Sequence, residues 1–174
     1  MTLQEKPAGP ATGMDRESYR TLMRHQAGAV TVIAAGRGTE RQGLTATAVA
    51  SLSDSPPTIL VCVQRTSGAH AVIAAERFFS VNLLSRGQKD LAERFAGRHG
   101  VSGSARFEPG IWTTLVSGAP VLKDALASLD CELIDQHGFT THSIFIGRVL
   151  DGRHNDRATP LLYFRNDFWD WGGA

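Results

Sequence analysis

Stretches with a β beat dominate the pattern of apolar and polar positions along this chain. The first periodic segment is the exception. Over residues 15–27, Tyr19, Leu22, Met23 and Gln26 recur at helical spacing, and Asp15 stands where a helix cap would. The texture then changes. Residues 29–34 are rich in β-branched side chains and predict a strand, with Gly36-Arg37-Gly38 as the turn after it. Residues 58–63 form an unbroken apolar run of strand length, which predicts a strand buried on both faces. Ser67 can cap a short helix over 69–75. Residues 78–84 predict another strand, and Ser85 with Gln88 makes the S-x-x-Q pattern of a capping box before a helix that ends at Phe95. No period is visible over 97–118, where Trp112 is the expected anchor. Three later strands are predicted over 128–135, 143–150 and 161–165, the first two joined by a turn at His137-Gly138.

Leu44 to Ser53 reads Leu-Thr-Ala-Thr-Ala-Val-Ala-Ser-Leu-Ser. As one strand it places Thr45, Thr47, Val49, Ser51 and Ser53 on one face and Ala46, Ala48, Ala50 and Leu52 on the other. One face carries hydroxyls and the other is slim and apolar. Pro56 and Pro57 then force a bend. The total is six or seven strands and two or three short helices, without regular alternation. That argues against a doubly wound sheet and for a mainly β fold, a closed or partly closed antiparallel barrel with helices outside it.

Composition narrows the classes. The 174 residues fit one domain, expected over 15–174, behind a flexible tail over 1–14 that lacks the apolar region of a signal peptide. A net charge of +1 supplies no field for nucleic acid or an anionic membrane. No apolar run approaches the roughly 20 residues that span a bilayer. Cys62 and Cys131 sit in or beside apolar runs and read as buried thiols. These features lead us to expect a soluble cytoplasmic protein with no nucleic-acid or membrane partner.

The standard catalytic patterns are missing: GxSxG, HExxH, the P-loop and GxGxxG. The six histidines show no metal-ligand spacing. What remains is a binding surface. Gln64 to Gly68 offers a guanidinium, two hydroxyls and a helix N-terminus, a combination suited to phosphate. An ordinary capped helix with a surface arginine has the same residues. The alanine-backed hydroxyl strand would let a flat ring come close, and a flavin edge suits backbone amides and neutral hydroxyls. A solvated sheet face fits it equally. Asn82 could offer an amide to the ring edge, or could bond to neighbouring backbone.

These residues also carry a resemblance. The run Gly43-Leu-Thr-Ala-Thr-Ala-Val-Ala-Ser-Leu-Ser53 followed by Pro56-Pro57 resembles the signature of flavin reductase-like, FMN-binding split-barrel proteins, among them reductase components of two-component monooxygenases such as 4-hydroxyphenylacetate 3-monooxygenase. Ordered matches follow at 24–30, 79–84, 91–96, 118–122, 129–132, 142–149 and 160–165. The resemblance implies a six-stranded, Greek-key split barrel that forms a homodimer with flavin near the subunit interface. It implies hydride transfer from NADH or NADPH to FMN or FAD, which then serves a separate oxygenase. By it, Thr45, Ala46, Thr47, Ala48, Ser51, Leu52 and Ser53 line the flavin, and Gln64, Arg65, Ser67 and His70 surround its phosphate. Asn82 and Leu83, with Arg86 and Gln88, complete the pocket. His142 falls at the end of the family's Gly-Asp-His motif on the nicotinamide side, but Thr140 and Thr141 precede it here, and a barrel-rim histidine is the alternative. Gln26 replaces a usual aromatic. Other readings of the same barrel are a flavin sensor without turnover, a pyridoxamine phosphate oxidase-like enzyme and a plain interaction barrel.

Overall fold

Asp15 caps the first helix, α1 (Arg16–Met23), by accepting the amides of Glu17 and Ser18, each at 2.9 Å. The helix buries none of its residues, and Tyr19 and Leu22 stay 56% and 57% exposed. The computed structural model describes residues 13–170, so the tail expected over 1–14 lies, up to residue 12, outside the described residues. After α1 come β1 (Gly28–Ala29), β2 (Thr31–Ala35), β3 (Gln42–Ala46), β4 (Val49–Asp54) and β5 (Pro57–Gln64). Then follow α2 (Gly68–Glu76), β6 (Phe78–Leu83), α3 (Lys89–Phe95), β7 (Trp112–Thr113) and β8 (Val121–Leu122). The chain closes with β9 (Ala127–Gly138), β10 (His142–His154), β11 (Leu161–Phe164) and β12 (Asp167–Asp170).

Seven strands make one antiparallel sheet in the order β3-β2-β6-β9-β10-β5-β4. Laid flat, its six gaps would hold the two edges roughly 29 Å apart. Yet Ala46 ends one edge strand and Val49 begins the other. Three residue steps reach at most about 11 Å. The sheet must therefore curl until its edges meet at Thr47-Ala48, which gives a barrel open along the β3–β4 seam.

Alternation along β2 builds two cores, and all five of its residues are buried. Ile33 and Ala35 point into the barrel, toward Val61, Val63, Phe79, Leu133 and Phe145, with Ile73 of α2 among them. Val32 and Ala34 point outward, under Leu91, Ala92 and Phe95 of α3 and Leu161 of β11. Both layers need close approach. A Cβ on Gly147 would lie 2.5 Å from the Phe79 ring, and one on Gly43 would lie 2.5 Å from the Phe95 ring.

Several expectations change. Leu44–Ser53 is two strands, with a corner at Thr47-Ala48 and a register shift between Ser51 and Ser53. It has no single hydroxyl face. Thr45 turns outward and donates to the Ala92 carbonyl at 2.6 Å, whereas Val49 packs on the barrel core. β5 is not buried on both faces, because Leu60 and Cys62 on its outer side are only half-buried. His137 and Gly138 belong to β9, and the turn follows at 139–141, where the Phe139 amide donates to the His142 carbonyl at 2.7 Å. The Ser85/Gln88 capping box forms, but it opens a 3-10 turn, Arg86–Gln88, ahead of α3. Trp112 does anchor its segment, packing on Phe107 and Phe95 at 4.9 and 5.7 Å. β12 was not predicted. It pairs with β11 across Arg165 and Asn166, whose φ values of 51° and 66° match the mirror-image turn that suits a two-residue hairpin.

Candidate functional site

β5 ends at Gln64, and α2 starts four residues later. Ser67 fixes this loop from both sides: its hydroxyl donates to the Gln64 carbonyl at 2.8 Å and accepts the His70 amide at 3.2 Å. The amides of Thr66, Gly68 and Ala69 have no hydrogen-bond partner among the described residues. They are the free donors of a helix start, where an anion is favoured. Arg65 ties the loop to the β9–β10 turn: its amide donates to the Thr141 carbonyl and its guanidinium to the Phe139 carbonyl, both at 3.0 Å. Gln64 pairs with His142 across β5 and β10. His142 is exposed, with Nδ1 2.8 Å from the Thr141 hydroxyl. Gln64, Arg65, Ser67 and His142 thus meet at one end of two strands.

The corner Thr47-Ala48 joins this group. The Cys62 amide donates to the Ala48 carbonyl at 2.9 Å, two residues short of Gln64. Both corner residues are exposed, and they line a cleft of about 490 Å³ with Arg20, Arg24, Gln26 and Tyr163. Ser51, Leu52 and Ser53 continue along β4, the first two exposed and the third half-buried. A phosphate suits the loop: three of its amides have no partner, and the Arg65 guanidinium, bonded to the Phe139 carbonyl, has no carboxylate within ion-pair distance among the described residues. A flat ring fits the corner, because Ala48 puts little in its way.

Other sequence candidates lie elsewhere. His70 turns inward, with Nε2 2.9 Å from the buried Ser143 hydroxyl and its ring 5.0 Å from Phe145. Burial first, and the Arg65 charge second, lower its pKa, so the ring is neutral near pH 7. It braces α2 on β10 rather than facing a ligand. Asn82 is closed to a flavin. It is fully buried, donates to the Val32 carbonyl and the Ser80 hydroxyl, and accepts from the Leu122 amide and the Ser128 hydroxyl. Its four bonding positions are filled. Leu83 lies between Thr31 and Ala127 and packs on the barrel core, and Ala46 and Thr45 are likewise taken up by packing on the core and by bonding to α3. The Arg86 amide bonds Thr159, while Gln88 accepts the Ser85 amide and donates to the Asp124 carbonyl. These two belong to a turn beside β11.

Sequence reasoning missed Gln42, whose Oε1 would lie 2.6 Å from a Cβ on Gly68. It comes from β3, and no local pattern links it to that loop. It also missed Arg20 and Arg24, which an exposed helix hides as ordinary surface charge.

The chain matches known proteins over most of its length. The profile of the flavin reductase like domain matches residues 23–172. FMN reductase (NADH) RutF 2 of Rhizobium rhizogenes is 42% identical over 158 residues, which is 91% of this chain and 90% of that protein. The structure of BorF, the flavin reductase component of a bacterial two-component tryptophan halogenase, superposes with a TM-score of 0.83 at 32% identity, over 92% of this chain and all of that one (100%). The NADH:FAD oxidoreductase SgcE6 of Streptomyces globisporus, in complex with NAD and FAD fragments, gives 0.81 at 31% identity, over 89% of this chain and 92% of that one. On its fold, its site and these matches, the chain belongs to the flavin reductase like domain family.

Proposed function

We propose that this protein is an NADH-dependent flavin reductase that supplies reduced FMN or FAD to a separate flavin-dependent oxygenase. One observation carries the reading: a phosphate cradle at Gln64–Gly68 is joined, through Cys62 and Ala48, to an open corner of small side chains. The proteins it resembles, named as FMN reductase (NADH) and as the reductase component of a two-component system, support the same chemistry.

When bound, the flavin supplies the hydride acceptor for NADH. The chain's own residues bind and orient. Arg65 and the amides of Thr66, Gly68 and Ala69 offset the phosphate charge. Ser67 keeps those amides pointed outward by holding the loop to Gln64. Thr47 and Ala48 present backbone where the ring edge would lie, and His142 at the rim is the side chain we assign to the nicotinamide. Hydride transfer asks no side chain to pass a proton, which suits a site without an acid–base pair. Holding the rings in contact supplies the rate.

Three further parts belong to this reading. The chain pairs with a second copy through the outer face of β4, β5 and β10, where Ala50, Leu60, Ile146, Cys62 and Ile144 stand side by side and none is fully buried. It works in the cytoplasm, in keeping with two unpaired thiols. Residues 15–174 act as one domain. Among the described residues no helix is long and apolar enough to cross a membrane. The test of the activity is to mix the protein with NADH and FMN or FAD and follow NADH absorbance. Rapid loss that needs both protein and flavin is expected; no flavin-dependent loss overturns the reading.

A further inference from the structure

The cleft at the corner measures about 490 Å³, and α1 lines it with residues that the flavin reading does not use. Arg20 and Arg24 are one helical turn apart, so their side chains share a face, and both line the cleft. Neither guanidinium has a hydrogen-bond or ion-pair partner among the described residues. The far end of α1 is fixed in place, because the Arg24 carbonyl accepts the Arg165 amide at 2.9 Å. Tyr163 lines the same cleft, its ring held edge-on to Phe168 at 5.2 Å. Gln26 and Asn166 add two side-chain amides. The loop at Gln64–Gly68 already offers donors for one phosphate, and this arginine pair lies on a different element, α1.

Two guanidiniums about 6 Å apart at their Cβ atoms suit a doubly charged group rather than a single carboxylate. An aromatic face and two amides beside them suit a purine base. We propose that Arg20 and Arg24 bind the pyrophosphate of a pyrophosphate-linked adenylate, whose adenosine end meets Tyr163, Gln26 and Asn166. This rests on the flavin reductase reading, and the ligand chemistry is shared by NADH and FAD. FMN lacks it.

The experiment uses the full chain and the double variant Arg20→Gln/Arg24→Gln. With saturating FMN, the KM for NADH is measured; separately, the Kd values of FMN and FAD are read by flavin fluorescence. If NADH is the ligand, its KM rises about tenfold or more while kcat stays within about twofold. If FAD is the ligand, its Kd rises by a similar factor. In both cases the FMN Kd is unchanged, the lost affinity is the salt-sensitive part, and Arg→Lys at both positions restores a share of it. Unchanged NADH KM and unchanged FAD Kd together overturn the proposal. So does an equal loss of FMN and FAD affinity, which would place the mononucleotide phosphate on these arginines. A wild-type protein that oxidises no NADH with either flavin would overturn the reductase reading instead, and the FAD arm would still test the site.

Discussion

Ser67 both starts a helix and shapes a ligand loop. Its hydroxyl bonds Gln64 on one side and His70 on the other. Ser67→Ala is expected to cost about 1 kcal/mol of stability, as the loss of a helix cap does. It should also weaken FMN binding severalfold, since the free amides lose their bracing; a denaturant melt and a flavin titration read the two effects. Asn82 makes the contrast. Asn82→Leu strands the Leu122 amide in the core, at about 2 kcal/mol or more, while the Ser128 hydroxyl keeps the Leu122 carbonyl as acceptor. The remaining folded protein should keep its FMN affinity, and a parallel loss of affinity would return Asn82 to the site. His70 gives the pH dependence. Its folded pKa lies below the 6.5 of the free side chain, so between the two values the unfolded chain holds more protons. Its contribution to stability is complete above about pH 6.5 and declines as pH falls below it. His70→Gln should flatten that acid-side decline in Tm, measured from about pH 7.5 down to about pH 5.5. The Ser67 cap and the loop it fixes were legible in the sequence because both are local. The bonding of Asn82 was not, because the groups that fill its bonds come from as far as 50 positions away.

Among the elements, the corner between β3 and β4 decides the site. The run Leu44–Ser53 looks like one strand because its alternation is unbroken, but two exposed residues change direction in the middle. Nothing in side-chain chemistry marks Thr47-Ala48 as a break; the need to join opposite sheet edges does. Ala48→Trp should raise the flavin Kd at least about tenfold, while Tm barely moves because the residue is exposed. A Tm drop of several degrees with retained binding would remove the ring from the corner. The S-x-x-Q box and the cap at Asp15 were read correctly, since both motifs are complete within four residues. β12 escaped because Arg165-Asn166 lacks the glycine that usually announces such a turn.

At the scale of the whole molecule, a closed or partly closed barrel could be inferred from strand number and helix shortage, whereas the place of its seam, between β3 and β4, could not. The apolar outer face of β4, β5 and β10 belongs to this scale too. Leu60→Asp places a charge at the centre of that face without touching the barrel interior. Sedimentation velocity should show a dimer for the wild type and a monomer for the variant, and a variant that sediments as the wild-type dimer does would move the interface elsewhere. The seam itself has a last consequence. Its two edge strands each have a strand partner on one side only among the described residues, and such edges invite pairing with other chains. A two-residue tether keeps them turned on each other at almost no loop-closure entropy. Lengthening the tether would let the edges drift apart and convert a ligand-binding corner into a template for aggregation. The shortness of Thr47-Ala48 is therefore a safeguard of solubility as much as a feature of the site.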